Sequence, residues 1–264
     1  MADTRPVGVF DSDLGGLTVL REILRQCPTE ACVYVADGEA APYGTKSEAF
    51  LQERSARITE FLLEQEAKAI VVACNTASVA ALSSLRERFT VPFVGIDPAV
   101  KPAVALTQTG TIGVLATTAT AASDRLARLI HDYANGVRVI TRECASLVEL
   151  VEAGVVEGPE VDTALAEVVG PALAEGADVL VLACTHLPFL APAIARLAGP
   201  GIKLVDPSTA VARQLQRVLT DQQLEGTSEA GPPLYYSTGE QNVFAARLSQ
   251  LLGPLATPVR SAAV

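Results

Sequence analysis

Short apolar runs alternate with longer amphipathic segments along most of the chain. The short runs are rich in Val, Ile and Leu, which is typical of strands buried on both faces of a parallel sheet. The segments between them have the length and spacing of helices. We predict strands over 7–10, 32–36, 69–73, 92–95, 112–115, 137–140, 178–183 and 202–205, and helices over 47–67, 77–89, 120–133, 160–175 and 208–219.

After residue 222 the chain is rich in Gly, Ser and Pro as far as residue 233. A short strand-like run, LYYST, and a final helix over 240–251 are predicted beyond it. The alternation of strands and helices indicates the α/β class, with parallel sheets covered by helices on both faces.

Short phrases recur along the chain in the same order. GVFDS at 8–12 resembles GVLAT at 113–117, with an offset of 105 residues. IVVACNT at 70–76 resembles LVLACTH at 180–186, with an offset of 110.

A third pair, VGIDP at 94–98 and KLVDP at 203–207, places its two aspartates 109 residues apart. Three matches at a nearly constant offset predict a duplicated α/β unit, and therefore two similar domains related by pseudo-twofold symmetry.

Length and composition fit this organisation. A chain of 264 residues suggests about two domains. No apolar run reaches the roughly 18–20 residues that span a bilayer, and MADTRPVGVF lacks the layout of a signal peptide. We expect a soluble, cytoplasmic protein without a membrane partner.

The net charge of −10 and pI near 4.8 argue against nucleic acid as a partner, because phosphate binding needs a basic face. An anionic small molecule is still an acceptable substrate, since backbone N–H groups bind anions. Five cysteines, an odd number without a CxxC pair, do not predict disulfides. With only two histidines, His131 and His186, no metal site is expected. Cys27, Cys32 and Cys144 are predicted to be structural, and His131 to lie at a helix surface.

The loops that follow the strands are the expected location of a functional site, since ligands bind at the carboxyl ends of parallel strands. If the two halves face each other, Cys74 and Cys184 oppose one another across a cleft between the domains. Polar residues accompany the cysteines at these loops: Asp11, Ser12, Asn75, Thr76, Thr117, Thr185 and His186.

Two opposed thiols can invert a stereocentre. One thiolate removes a proton from carbon while the opposite thiol returns one to the other face, and an ordinary thiol pKa of about 8.5 makes both states accessible. Asp11 either assists Cys74 or receives a substrate ammonium, and His186 assists Cys184. Helices after both cysteines are expected to lower the thiol pKa with their N-termini.

These motifs together resemble the glutamate racemases of the cofactor-independent aspartate/glutamate racemase superfamily. The resemblance covers about residues 7–212 and includes GVFDSDLGGLTVL, VYVADGEAAPYGTKS, VVACNTAS, IGVLATTATAAS, LVELVEAG and LACTHLPFL. It implies interconversion of L- and D-glutamate without pyridoxal phosphate, metal or other cofactor, and supply of D-glutamate for peptidoglycan.

The resemblance also implies roles for individual residues. Cys74 and Cys184 match the two catalytic thiols, Asp11 and His186 the residues that assist them, and Asp37 and Glu152 further polar residues of the active site. The matched substrate contacts are Asp11, Ser12, Pro42, Tyr43, Gly44, Asn75, Thr76, Thr117, Thr120, Thr185 and His186. The local sequence alone also allows a structural role for each of these residues. Asp37 is equally compatible with capping a turn, and Glu152 with a solvated carboxylate on a helix. Pro42–Gly44 is equally compatible with an ordinary turn.

The family's layout implies one domain formed by 1–97 plus 207–264 and another formed by 98–206. It further implies a homodimer, and some members are associated with DNA gyrase inhibition. One departure is Asp13, where the family usually has Gly. We expect its carboxylate to point to solvent; inside the cleft it would oppose the substrate's carboxylates.

Two other functions are compatible with these residues. One is a sister racemase acting on aspartate or a hydantoin, and the other is a binding or regulatory protein on the same scaffold. A pyridoxal-phosphate racemase is disfavoured because it needs a Schiff-base lysine, and the lysines lie outside the strongest motifs.

Overall fold

The computed structural model describes residues 3–253 and 257–264. The chain forms two compact units. The first contains the residues up to Ile96 together with Ser208–Val264, and the second is Asp97–Pro207.

The strands follow the apolar runs of the sequence, because these runs supply the buried residues that each sheet needs on both faces. They are β1 (Val7–Asp11), β2 (Cys32–Ala36), β3 (Ala69–Val72), β4 (Phe93–Gly95), β5 (Thr111–Ala116), β6 (Arg138–Glu143), β7 (Val179–Ala183), β8 (Lys203–Val205), β9 (Leu234–Ser237) and β10 (Val259–Ser261).

Helices occupy the amphipathic segments between the strands. They are α1 (Leu17–Gln26), α2 (Glu48–Glu64), α3 (Asn75–Arg88), α4 (Val100–Leu106), α5 (Thr118–Ala121), α6 (Asp124–Tyr133), α7 (Ala145–Glu152), α8 (Pro159–Ala174), α9 (Ala191–Ala198), α10 (Ser208–Asp221) and α11 (Gln241–Leu252), with 3₁₀ turns at Tyr43–Thr45 and Leu187–Leu190.

Each unit is built on one parallel sheet. Over the described residues, the first unit has six strands in the order β10-β9-β2-β1-β3-β4, and the second has four in the order β6-β5-β7-β8. All of the strand pairs are parallel. The predicted α/β class with two parallel sheets is therefore confirmed.

The two sheets share a strand order, since β2-β1-β3-β4 and β6-β5-β7-β8 have the same connectivity. The register also agrees: Gly8 lies opposite Ile70 in one sheet, and Gly113 lies opposite Leu180 in the other. These are equivalent positions of the repeated sequence phrases. Cys74 and Cys184 therefore follow the third strand of their respective units.

The predicted strands and most of the predicted helices are confirmed. The single helix predicted over 120–133 is wrong, because it is divided between α5 and α6. Ser123 caps α6 by accepting a hydrogen bond from the Leu126 N–H at 3.2 Å, and this cap starts a new helix. The sequence patterns did not predict α1, α4, α7, α9 or β10. Within the described part of the chain, none of the helices combines the length and apolar character needed to cross a membrane.

Candidate functional site

Asp11 ends β1 and is completely buried. Its Oδ1 accepts hydrogen bonds from the Ser12 backbone N–H at 2.5 Å and the Ser12 hydroxyl at 3.1 Å. The chain turns tightly beside it at Gly16, where a Cβ atom would lie 2.6 Å from the Asp11 Cβ and 2.8 Å from the Tyr34 Oη. Only glycine fits this position, so the loop after β1 closes against the carboxylate.

Cys74 lies between β3 and α3 and is 5% exposed. It occupies the N-cap position of α3, and its carbonyl accepts the Ser78 N–H at 2.8 Å. The first turn of this helix contains Asn75 and Thr76, both buried. The sequence expectation of a helix directly after this cysteine is confirmed, and the N-terminal end of the helix dipole provides a partial positive charge beside the thiol.

Asn75 has an unusual environment for an amide. Its side chain is only 2% exposed, yet among the described residues neither Oδ1 nor Nδ2 has a hydrogen-bond partner. Burying a polar group without a partner costs about 1–3 kcal/mol. Such an amide is suited to a ligand that supplies both a donor and an acceptor.

Asp37, just beyond β2, is the centre of a buried polar network. Its Oδ2 accepts the Tyr43 hydroxyl at 2.5 Å, and its Oδ1 accepts the Thr238 hydroxyl at 2.7 Å. Arg54 of α2 donates Nε to Oδ2 at 2.9 Å and Nη2 to Oδ1 at 2.6 Å. The carboxylate is thus fully engaged, and its direct effect is to hold Tyr43 in place.

Tyr43 joins this network to the other site residues of the first unit. Burial raises the pKa of its phenol, and the Asp37, Cys74 and Asp11 side chains raise it further. Tyr43 therefore stays a neutral hydrogen-bonding group near Cys74 and Asp11. It follows the cis peptide between Ala41 and Pro42, and Gly44 is the middle residue of the same 3₁₀ turn.

The second unit contains a chain of three polar side chains. Cys184 follows β7, and its Sγ lies 3.6 Å from His186 Nδ1. On the other side of the imidazole, Nε2 contacts a carboxylate oxygen of Glu152, the last residue of α7. Cys184 and His186 are buried, whereas the Glu152 side chain is 20% exposed.

The charges along this chain follow from the contacts. Burial by itself would lower the pKa of His186, but the Glu152 carboxylate and the contact with Cys184 raise it well above 6.5. The pKa of Cys184 is also raised well above the ordinary thiol value, by the neighbouring Cys144 side chain and by burial, although His186 acts in the opposite direction. These shifts favour a neutral thiol at Cys184 and an imidazolium at His186.

The expectation of a helix N-terminus beside Cys184 is wrong. A 3₁₀ turn at Leu187–Leu190 follows the cysteine, and α9 begins only at Ala191. The Pro188 ring removes one backbone N–H from this turn. The expected lowering of the Cys184 pKa is therefore also wrong, because a sulfur neighbour and burial dominate it.

Three of the four threonines predicted as substrate contacts, Thr117, Thr120 and Thr185, lie in the second unit, whereas Thr76 lies in α3 of the first. Thr117 caps α5 by accepting the Thr120 N–H at 3.3 Å, and its own hydroxyl donates to Thr120 Oγ1 at 3.1 Å. Thr185 lies between Cys184 and His186 and is buried. Each threonine is near the carboxyl end of a strand, as predicted.

Asp13 is a correction to the sequence expectation. Its side chain is 8% exposed rather than directed to solvent. Tyr34 donates its hydroxyl to the Asp13 carbonyl oxygen at 2.6 Å, and a Cβ atom placed on Gly38 would be 3.5 Å from Asp13 Oδ2. The carboxylate is packed against the loop after β2, at van der Waals distance from the Gly38 position.

Sequence patterns missed three residues of these networks: Arg54, Thr238 and Cys144. Arg54 lies among other charged residues of α2, and Thr238 lies 201 positions from Asp37, so neither has a local signal. Cys144 lacks a repeated motif, so the sequence predicts only a structural role for it. All five cysteines are buried and lie outside disulfide bonds, and burial raises the pKa of Cys27 to about 11 and of Cys32 to about 12.

Over residues 3–253 and 257–264, no three His, Cys, Asp or Glu side chains converge in a way that could hold a metal ion. The fold and the site define an α/β protein with a thiol after the third strand of each of two similar units.

The chain belongs to the Asp/Glu/Hydantoin racemase family, whose sequence profile matches residues 7–215. A glutamate racemase of Ectopseudomonas mendocina is 50% identical over 249 residues, which cover 94% of this chain and 95% of that protein. A glutamate racemase of Pseudomonas aeruginosa strain PAO1 is 48% identical over 237 residues, 89% of each chain.

Solved structures agree with this assignment. Glutamate racemase isoform RacE1 from Bacillus anthracis has a TM-score of 0.89 and 30% identity, with 99% of this chain and 98% of that chain covered. Escherichia coli glutamate racemase, in complex with L-glutamate and the activator UDP-MurNAc-ala, has a TM-score of 0.87 and 35% identity, with 98% of both chains covered. An aspartate racemase from Picrophilus torridus, 16% identical with a TM-score of 0.55, shares the fold.

Proposed function

We infer that this chain is an amino-acid racemase that interconverts L- and D-glutamate, and we propose that Cys74 and Cys184 exchange the α-proton. The observation that carries the proposal is the equivalent placement of the two thiols, each after the third strand of its own sheet. The glutamate racemases at 47–50% identity support glutamate as the substrate. Glutamate bound in the Francisella tularensis and E. coli enzymes supports it as well.

In one direction the Cys74 thiolate removes the α-hydrogen, so that the C–H bond breaks and an S–H bond forms. The electron pair left on the α-carbon is delocalised into the α-carboxylate. The Cys184 S–H then gives its proton to the opposite face, which inverts the configuration and leaves a Cys184 thiolate. In the reverse direction the two sulfurs exchange roles, and no other reactant is consumed.

The second unit supplies the proton states that this cycle needs. Cys184 is a neutral thiol before the reaction, ready to act as an acid. After proton donation, the imidazolium of His186 donates from Nδ1 to the new thiolate and stabilises its charge. Glu152 keeps His186 protonated. The role of the Cys184–His186–Glu152 chain is therefore to make both states of one sulfur accessible.

The first unit supplies groups suited to an amino acid. Asn75 offers a buried donor and acceptor to the substrate's carboxylate and ammonium. Tyr43 offers a neutral hydroxyl. The N-terminus of α3 offers backbone N–H groups that can bind an anion. Asp11 is proposed to receive the ammonium or to assist Cys74, since the Asp11 and Cys74 side chains both act on Tyr43.

The other expectations from the resemblance stay proposals. They are a cytoplasmic location that supplies D-glutamate for peptidoglycan, a homodimer, and an interaction with DNA gyrase. Light scattering on the purified protein tests the dimer, and a supercoiling assay with added protein tests the gyrase interaction.

The decisive experiment measures exchange of the glutamate α-proton in D₂O, with the configuration of the product. Wild type should exchange and racemise both enantiomers, and Cys74→Ser and Cys184→Ser should each abolish racemisation. Each variant should still exchange one enantiomer, with opposite preferences. Cys27→Ser is the matched control, because Cys27 is a buried thiol outside both networks.

Three results would contradict parts of the proposal. Racemisation at wild-type rate by both serine variants would exclude the two-thiol mechanism. Glutamate binding without any α-proton exchange would favour the binding or regulatory function. Faster exchange with aspartate than with glutamate would instead identify the sister racemase.

A further inference from the structure

Arg54 links α2 to two other segments of the first unit, the loop after β2 and the residues that follow β10. Its side chain is only 12% exposed. Besides its bonds to Asp37, Nη2 donates to a carboxylate oxygen of Glu39 at 3.0 Å, and Nη1 donates to the Val264 carbonyl oxygen at 3.1 Å. All three nitrogens of the guanidinium therefore donate hydrogen bonds, yet the mechanism proposed above uses none of them.

The loop after β2, residues 37–44, is the segment that these contacts hold. Thr238, directly after β9, donates its hydroxyl to Asp37 Oδ1 at 2.7 Å and accepts the Glu39 backbone N–H at 3.1 Å. Arg54 bonds the same two residues of the loop. The start of the loop is thus held from two elements that are distant from it along the chain.

Tyr43 connects the far end of this loop to its start. The hydroxyl donates to Asp37 Oδ2 at 2.5 Å, and the side chain is buried in the apolar core that also contains Cys74. The turn at 42–44, which the resemblance matches to the substrate, is therefore anchored through the phenol to Asp37. The position of this turn depends on the orientation of one carboxylate.

The paired hydrogen bonds from Arg54 fix that orientation. Nε donates to Oδ2 and Nη2 to Oδ1, so the carboxylate cannot turn without breaking one of them. A lysine at this position would keep the positive charge but would leave the carboxylate free to rotate. Rotation of Asp37 would move the oxygen that accepts the Tyr43 hydroxyl.

We propose that Arg54 is a positioning residue for glutamate, which holds the turn at 42–44 in its binding geometry through Asp37 and the Tyr43 hydroxyl. Thr238 supports the same carboxylate from the end of β9. Neither side chain needs to touch the substrate, and no covalent bond changes at either. This role rests on the proposed function, in which the turn contacts the amino acid. A residue that only stabilised the fold would leave the KM of the folded enzyme unchanged.

The test measures KM and kcat for glutamate separately in Arg54→Lys and Thr238→Val. We expect Arg54→Lys to raise KM about five- to tenfold with kcat within about threefold of wild type, because a misplaced turn weakens binding before and during the reaction alike. Thr238→Val should raise KM by a smaller factor, about two- to threefold, since Arg54 still holds the carboxylate.

A double-mutant cycle shows whether Arg54 acts through the phenol. Tyr43→Phe removes the hydroxyl that joins the turn to Asp37, so adding Arg54→Lys to it should raise KM by less than about twofold further. If Arg54 acts on the substrate by another route, its full factor should persist in the Tyr43→Phe background.

Two variants outside the network are the matched controls, and both should keep the wild-type KM. Arg57→Lys lies on the same helix, where Arg57 pairs with Glu53 and is more than half exposed. Thr257→Val removes a hydroxyl that donates to the Pro233 carbonyl oxygen.

An unchanged KM in a folded Arg54→Lys protein with active wild type would overturn the inference and leave the proposed function intact. A full Arg54→Lys effect in the Tyr43→Phe background would do the same. If Arg54→Lys does not fold, the KM of Thr238→Val and its cycle with Tyr43→Phe decide in the same way. A wild type that does not exchange the α-proton would instead overturn the proposed function itself.

Discussion

Arg54 binds Asp37 through two short hydrogen bonds to different carboxylate oxygens, Nε to Oδ2 at 2.9 Å and Nη2 to Oδ1 at 2.6 Å. The Asp37 side chain is fully buried and that of Arg54 is 12% exposed. A bidentate pair with little solvent is among the stronger ionic contacts in proteins, and removing one partner leaves an uncompensated buried charge.

We expect Arg54→Met to lower the free energy of unfolding by about 3–5 kcal/mol, since it leaves the Asp37 carboxylate without its cation. Arg54→Lys should lower it less, because a lysine keeps the charge but not the two-pronged geometry. Urea denaturation at neutral pH measures both.

Arg57→Met is the matched control on the same helix. Arg57 pairs with Glu53, and both side chains are more than half exposed, so the loss should be below about 1 kcal/mol. If Arg54→Met and Arg57→Met lower the free energy of unfolding equally, the buried Arg54–Asp37 pair stabilises the fold no more than the exposed pair does.

Glu152→Gln should reduce activity most at neutral to alkaline pH. Without the carboxylate, burial lowers the pKa of His186. The imidazolium that stabilises the Cys184 thiolate then loses its proton at a lower pH than it does in the wild type. We expect kcat to fall about 10–100-fold in the direction that uses Cys184 as the base. Glu149→Gln, on the exposed side of the same helix, should have no effect.

The same variant has a pH-dependent effect on stability. The pKa of folded His186 is raised, so its contribution is fully present below the unfolded value of about 6.5 and is lost as pH rises through the folded pKa. The difference in unfolding free energy between wild type and Glu152→Gln should therefore be largest near pH 6 and shrink at alkaline pH. A difference that grows with pH would contradict the assignment of an imidazolium.

Asn75→Ala should separate binding from stability. Its buried amide has no hydrogen-bond partner among the described residues, so its removal should change the free energy of unfolding by less than about 1 kcal/mol. The KM for glutamate should rise about tenfold, because one to two hydrogen bonds to the substrate are lost. Kinetics and urea denaturation, with the exposed Asn135→Ala as control, test both parts; a normal KM would remove Asn75 from the substrate contacts.

Asp13→Asn should improve glutamate binding. The buried carboxylate of Asp13 lies two residues from Asp11, and a negative charge there opposes the carboxylates of the substrate. We expect KM to fall several-fold at low ionic strength, with a smaller change at high salt. Asp221→Asn, at an exposed carboxylate of the same unit, is the control. An unchanged KM would show that the Asp13 charge does not reach the substrate.

The sequence by itself determined the strands, the repeat and the two cysteines that end equivalent strands. These features are local, since a buried parallel strand needs a continuous apolar run and a duplicated unit keeps its spacing. The shared strand order and the matched register of Gly8 and Gly113 follow the same repeat.

Only the tertiary structure decided which side chains meet. Arg54 binds Asp37 from 17 positions away, and Glu152 contacts His186 across 34 positions. The burial of Asp13 and the placement of Cys144 against Cys184 likewise depend on how loops and helices pack on the sheets. Sequence spacing does not fix the directions in which these side chains point. The neighbours that packing brings together set the proton states of the Cys184 thiol and the His186 imidazole.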